Sequence, residues 1–183
     1  MTPTRKVAVI YATEQGSTRD IAEFVAADLA DRGAEVQLRE VGYAPGPAGF
    51  DMVILGSAIH NMDFLPAAVD YIGRNRTELA ATDVRLFGVG LGPALRGPVG
   101  RRIGRVVPKK IAALRDAVRA RDYRAFAGIY ERQGVSWKAR TLYRLMGGGR
   151  YGDLRDWSAI QGWATGIGDS LGLSVASTHV IHP

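Results

Sequence analysis

The chain has 183 residues, no cysteine, three histidines and a formal net charge of +6. Disulfides, thiol nucleophiles and iron–sulfur ligation are thereby excluded, and His60, His179 and His182 are too few and too scattered to favour a zinc site. An apolar content of 46% with 23% charged residues suits a globular domain with a full core, and no uncharged apolar run reaches bilayer length.

Met1–Arg5 runs straight into a first strand, which leaves no room for a signal peptide and points to the cytoplasm or the inner membrane face. Lys6–Tyr11 reads as that strand, apolar through Val7-Ala8-Val9-Ile10. Ser17–Arg32 reads as a helix with Ile21, Phe24, Val25 and Leu29 on one face, stopped by Gly33. Between them, Tyr11–Thr18 is rich in hydroxyls and glycine. Such a turn at a first strand-to-helix junction is a phosphate cradle. Backbone N–H groups and the helix dipole favour an anion there, and Thr13, Ser17 and Thr18 add hydroxyl donors. No lysine follows Gly16 as in a Walker A loop, and the turn is not G-x-G-x-x-G. An ordinary capped turn is the plainer alternative, which the junction position disfavours.

Glu35–Glu40 reads as a second strand, and Gly42–Gly49 as a Pro/Gly-rich connection. Asp51–Ser57 reads as a third strand, nearly all apolar as one buried on both faces should be. Leu65–Asn75 follows as a helix carrying Val69 and Ile72, and Val84–Val89 as a fourth strand. Gly90–Pro108 is dense in Gly and Pro, carries four arginines and reads as a long, mobile, basic loop. Lys109–Arg121 reads as a basic helix and Tyr123–Tyr130 as a fifth strand. A second excursion spans Glu131–Arg155. Within it, Ser136–Met146 reads as a short helix closed by Gly147-Gly148-Gly149. Trp157–Leu171 is the last helix. Leu173–Ile181 is either an edge strand or a disordered end.

This alternation predicts one α/β domain over 1–183, with no internal repeat: a three-layer sandwich around a five-stranded parallel sheet of order 2-1-3-4-5, with a basic helical insertion after the last strand. A ligand then sits at the carboxyl ends of the strands, where the winding reverses. Three loops converge there. Thr13, Glu14, Gln15, Gly16, Ser17 and Thr18 would hold the phosphate. Ser57, Ala58, Ile59, His60 and Asn61 would flank a flat ring on one side, and Gly88, Val89, Gly90, Leu91 and Gly92 on the other. His60 is the candidate catalytic residue, with a backbone-bonded loop histidine as the equal alternative. Neither flanking loop carries an aromatic ring. An uncovered ring face suits a substrate that must lie against it for hydride transfer.

Charge is unevenly spread. Residues 1–84 hold 7 basic and 12 acidic side chains, residues 85–155 hold 17 and 4, and residues 156–183 hold none and 2. The central segment therefore carries +13, which points to an anionic partner over a merely solvated face. Its arginines lack the aromatic ladder of a single-strand binder, which disfavours nucleic acid. Trp137 and Tyr143 beside Lys138, Arg140 and Arg144 have the composition of an interfacial helix on an anionic membrane. A helix that packs on the domain with its basic edge in water is equally compatible.

The spacing Thr13-x-x-Gly16-x-Thr18 resembles the phosphate loop of flavodoxins, which grips the phosphate of FMN. Further motifs follow in order: Gly56-Ser57-Ala58-Ile59, Phe126-Ala127-Gly128, Arg140-x-x-Tyr143-Arg144-Leu145-Met146, Gly147-Gly148-Gly149 and Asp156-Trp157. With them, the chain resembles the flavodoxin-domain family of menaquinone-dependent protoporphyrinogen IX dehydrogenases. The resemblance implies a flavodoxin-like fold, non-covalent FMN and hydride removal from protoporphyrinogen IX with electrons passed to quinones. It also implies that tetrapyrrole propionates meet arginines, for which Arg96, Arg101, Arg102 and Arg105 on the first excursion and Lys138, Arg140 and Arg144 on the second are candidates. The Gly/Pro/Arg-rich stretch 91–108 and the short segment Arg150–Arg155 depart from that pattern. A flavodoxin-like electron carrier using FMN or another flavin or deazaflavin is the alternative, although such carriers are typically acidic.

Overall fold

The computed structural model describes residues 4–96, 98, 100, 102, 104, 106–130, 141, 143–145, 148, 149 and 151–176. Its frame is a parallel sheet. Strand β1 (Lys6–Ala12) lies between β2 (Glu35–Glu40), at one edge, and the central β3 (Met52–His60), and β5 (Asp83–Gly90) and β6 (Asp122–Ala127) extend the sheet on the β3 side. Counted as five parallel strands, this is the expected order 2-1-3-4-5. The short β4 (Asp63–Phe64) folds back antiparallel on β3.

Alternation along the strands feeds two separate cores. Val7, Val9, Met52, Ile54, Phe87 and Val89 point to one face, where α1 (Ser17–Asp31) and a late helix, Trp157–Ser170, cover them. Ala8, Ile10, Val53, Leu55, Val84 and Leu86 point to the other. That face is covered by α2 (Pro66–Arg74), α3 (Arg76–Ala80) and α4 (Lys109–Ala117); the late helix is α5. The result is the three-layer sandwich. Where layers meet closely, size decides the residue. Gly56 on β3 stands opposite Phe87 on β5, and a β-carbon at Gly56 would fall into the Phe87 ring. Phe87, Phe126 and Trp163 then form a ring cluster with centroids 5.5–6.2 Å apart.

α1 starts after Gly16 at φ 93° and closes with Gly33 at φ 98°, whose N–H reaches the Ala30 carbonyl. Only a residue without a β-carbon adopts such φ values freely. Arg32 and Asp28 form a buried ion pair at 2.7 Å, and Arg32 also donates to Thr165 Oγ1, which ties α1 to α5. The α5 N-cap is Asp156, accepting from the Ala159 N–H at 3.0 Å.

Several expected boundaries are corrected. The stretch Ser57–Asp63 is not a loop. β3 continues through His60 and turns back at Asn61 and Met62, both at positive φ (50° and 62°), as a two-residue hairpin turn of the primed kind requires. The helix expected over 65–75 breaks at Asn75, whose side chain donates to the Tyr71 carbonyl, and a further turn, α3, follows. The basic helix ends at Ala117. The stretch 90–108 is not structureless: Gly92–Ala94 is a 3₁₀ turn, and Pro98, Gly100, Arg102 and Gly104 are helical. The expected strand Tyr123–Tyr130 is two pieces. β6 stops at Ala127, and β7 (Ile129–Tyr130) pairs antiparallel with β8 (Gly152–Asp153) in a separate hairpin stem. In the second excursion, Thr141, Tyr143, Arg144 and Leu145 are helical; Ser136–Arg140 lie outside the described residues.

Candidate functional site

The carboxyl ends of the strands open a cleft of about 300 Å³. Thr13, Glu14, Gln15, Ser17 and Thr18 line it from the β1–α1 turn, Ala58, Ile59 and His60 from the end of β3, and Val89, Gly90 and Leu91 from the end of β5. These are three of the expected groups, brought together by the switch in winding. Gly128, Ile129 and Tyr130 form a fourth wall that the sequence reading missed.

The turn is built to receive an anion. Thr13 Oγ1 accepts the Gly16 N–H at 2.9 Å, which folds the turn over the start of α1. Ser17 Oγ accepts the Ile129 N–H at 3.1 Å, so its own hydroxyl proton remains for a ligand. Thr18 Oγ1 is buried and has no hydrogen-bond partner although Thr18 lines the cleft. An orphaned buried hydroxyl costs free energy unless a ligand satisfies it. Two hydroxyl donors and a helix N-terminus on one spot fit a phosphate, and hence the phosphate end of FMN.

Not every expected contact faces the cleft. Ser57 is fully buried, donates from Oγ to the Ala58 carbonyl and accepts the Leu65 N–H, so it pins the β3–β4 hairpin from behind. Gly88 is interior to β5, and its bare Cα leaves room for Ile59 and the Tyr123 hydroxyl. Gly16, Asn61 and Gly92 also stand off the lining. His60 sits on the rim with Nδ1 3.9 Å from Glu14 Oε2, both side chains being more than half exposed. It is a strand residue rather than the loop histidine of the plainer alternative.

The absence of an aromatic ring holds for the two flanking loops but not for the cleft. Tyr130 supplies one from the hairpin stem. Its ring stacks on Tyr151 with centroids 5.5 Å apart and planes 16° apart, and tilts against Tyr143 at 4.8 Å. Tyr143 is 2% exposed, and burial together with the neighbouring phenols raises its pKa, with Arg96 pulling the other way. The signal that could have revealed this wall is Gly128. It interrupts the fifth strand, and a β-carbon there would press on Val89 and Ser17.

Of the expected cations, Arg96, Arg102 and Arg144 are exposed. Arg101, Arg105, Lys138 and Arg140 lie outside the described residues. The side chain of Arg155, unassigned in the sequence, is only 4% exposed. It binds Asp153 through Nε and Nη2, reaches Asp20 in the first turn of α1 at 2.8 Å, and lies 4.6 Å over the Trp157 ring. It thus anchors the stem behind Tyr130 to the helix that begins at the phosphate turn. Hydrogen bonding to Asp153 raises its pKa further.

Residues 8–153 match the model of the flavodoxin domain. Over 88 residues the chain is 24% identical to the protoporphyrinogen IX dehydrogenase [quinone] of Escherichia coli strain K12, a stretch covering 47% of this chain and 49% of that protein. The corresponding protein of Escherichia coli O157:H7 matches to the same extent. The chain thus spans about half the length of the curated relatives it matches. Among solved structures, a flavodoxin from the domain Archaea aligns with a TM-score of 0.50 at 16% identity, over 77% of this chain and 93% of that one. Rubredoxin oxygen:oxidoreductase from Desulfovibrio gigas aligns with a TM-score of 0.52 at 18% identity, over 92% of this chain and 37% of that one. Two-electron reduced Megasphaera elsdenii flavodoxin aligns with a TM-score of 0.50 at 19% identity, over 66% and 85%. These structural likenesses speak to the fold.

Proposed function

The chain belongs to the flavodoxin domain family, and from that premise we propose that it is an FMN-dependent oxidoreductase of the quinone-linked protoporphyrinogen IX dehydrogenase type. The observation that carries the cofactor assignment is the orphaned Thr18 hydroxyl beside Ser17 at the start of α1, inside a cleft walled by three strand ends. Thr13, Ser17 and Thr18 would hold the phosphate. Ala58, Ile59 and His60 would flank the ring on one side, with Val89, Gly90 and Leu91 on the other. FMN, when bound, supplies two-electron redox chemistry. The chain's own part is to bind, orient and exclude water. His60 at the rim, with Glu14 3.9 Å away, is placed to exchange a proton with a ligand in the cleft mouth.

The dehydrogenase reading, as against a pure carrier, is supported by the sequence match to protoporphyrinogen IX dehydrogenases and by the fourth wall, Gly128–Tyr130, which the far end of the second excursion pairs with through β8. Its partners on this reading are a tetrapyrrole, a quinone and an anionic membrane face. Among the described residues no helix is long and apolar enough to cross a membrane, and the association proposed here is a peripheral one at the cytoplasmic face. The deciding experiment is the absorbance spectrum of the purified protein, followed by turnover of protoporphyrinogen IX with menadione as acceptor. A bound flavin with porphyrinogen oxidation supports the proposal. A bound flavin without it, and with rapid one-electron exchange, makes the chain a carrier. No flavin binding overturns both.

A further inference from the structure

We propose that Tyr130 is the substrate-contact residue of the cleft, an aromatic plate on which a flat conjugated ring lies, and that Tyr143 and Tyr151 are the residues that position it. This rests on the proposed flavin-dependent oxidoreductase reading and names the substrate class of the same cleft.

Three observations carry the inference. First, the other two ring walls are made by Ala58, Ile59 and the polar His60 and by Val89, Gly90 and Leu91, so Tyr130 carries the one six-membered aromatic ring on the described lining. Those walls come from strands of the five-stranded frame, which already encloses a phosphate end and two flanks. Tyr130 belongs to the separate stem β7–β8, an addition to that frame. Second, its ring is held from behind. It is stacked nearly parallel on Tyr151, and Tyr143 braces both rings, at 4.8 Å from Tyr130 and 5.7 Å from Tyr151. Tyr143 is itself clamped, because Gly148 closes the turn after it by donating to the Tyr143 carbonyl at 2.8 Å, and a β-carbon at Gly148 would strike the ring. A ring fixed before binding loses little entropy when a second ring packs on it. Third, the stem is pinned to α1 at two places, by the Ile129 N–H on Ser17 Oγ and by Arg155 on Asp20. The plate is therefore held in register with the phosphate turn. Offset or edge-on packing against the phenol is the favoured geometry for a conjugated ligand of this kind.

The test uses full-length protein loaded with FMN and two probes: protoporphyrin IX, followed by its fluorescence, and menadione, followed by the Michaelis constant for its reduction. Tyr130→Ala should weaken at least one of the two by about tenfold, the scale of one lost aromatic contact, while the FMN dissociation constant stays within about twofold. Tyr130→Phe, which keeps the plate and loses the hydroxyl, should restore wild-type values. Tyr151→Ala should raise the Michaelis constant without lowering kcat in proportion, as expected of a residue that acts through Tyr130. If the wild type binds one or both probes and Tyr130→Ala weakens neither, this inference falls and the oxidoreductase reading stands. If Tyr130→Ala instead loses FMN, the plate belongs to the cofactor and the inference falls. If wild-type holoprotein binds neither probe, both fall together.

Discussion

Thr18 is the side chain whose state most depends on what fills the cleft. Its hydroxyl is buried without a partner, a situation that costs about 1–3 kcal/mol in a folded protein. Thr18→Val keeps the shape and removes the orphan. The apoprotein should therefore melt at the same temperature or higher, while affinity for FMN falls by about tenfold or more through loss of a hydrogen bond to a charged group. Calorimetry of the apoprotein and a flavin fluorescence titration read the two effects separately; a parallel loss of both would remove the anion-binding role. Tyr123 presents the same problem without a cleft. Its hydroxyl is also orphaned, and burial pushes its pKa up to about 12; burial, with Glu78 adding, does the same for Tyr71. A phenol whose folded pKa lies above its unfolded value near 10 contributes fully below that value. Between pH 10 and 12 the unfolded chain sheds protons that the folded chain keeps, so stability falls as pH rises. Tyr123→Phe should leave stability at pH 7 equal or greater and make the decline in denaturation midpoint between pH 10 and 12 shallower.

Among the elements, β3 does most to shape the site. It crosses the middle of the sheet, lets Phe87 lie on Gly56, and runs on past the sheet to lift His60 to the rim. Gly56→Ala should destabilise the fold by about 1–3 kcal/mol, the range for overpacking, visible as a lower midpoint in urea with an unchanged slope. Strands β1, β3 and β5 were readable because burial on both sheet faces leaves nearly unbroken apolar runs, and α1 because Gly33 marks a helix end chemically. The hairpin at Asn61-Met62 was hidden, since methionine rarely takes positive φ and Ser57–Asp63 has no clear apolar alternation. Tyr130 was hidden for another reason. Its partner strand lies at Gly152–Asp153, near the far end of the second excursion, and no local pattern encodes a pairing across that distance.

At the level of the whole molecule, much of the central positive charge is spent internally. Arg85 and Arg121 face Asp83, Lys110 faces Asp63, Arg124 faces Asp122, and Arg155 faces Asp20 and Asp153. A count of charges along the chain could not reveal this, because the acids that answer these cations come partly from the acidic first half. Arg96, Arg102, Lys109, Arg119 and Arg144 have no ion pair among the described residues. Among the described residues, these are the central cations available to the anionic partner proposed above. Attraction of this kind is screened over roughly 8 Å at physiological ionic strength. The apparent Michaelis constant for a porphyrinogen, or association with anionic liposomes, should rise or weaken with added salt. Arg96→Glu with Arg102→Glu and Arg144→Glu should reproduce that loss at low salt with FMN still bound, and indifference of both readouts would mark the surface as merely solvated. The hydrogen bond from Ile129 to Ser17 joins positions 112 apart in the chain, and it bears on how the protein is made. A nascent chain emerging from the ribosome holds its phosphate turn early, yet it has only three walls of the cleft until residues 128–130 emerge. The fourth is clamped only once Asp153 and Arg155 arrive. Because early contacts are local and this one is not, the vitamin-derived cofactor can steady the chain only after Arg155 has emerged, and a pause or truncation before Arg155 would leave a polypeptide that flavin supplementation cannot rescue.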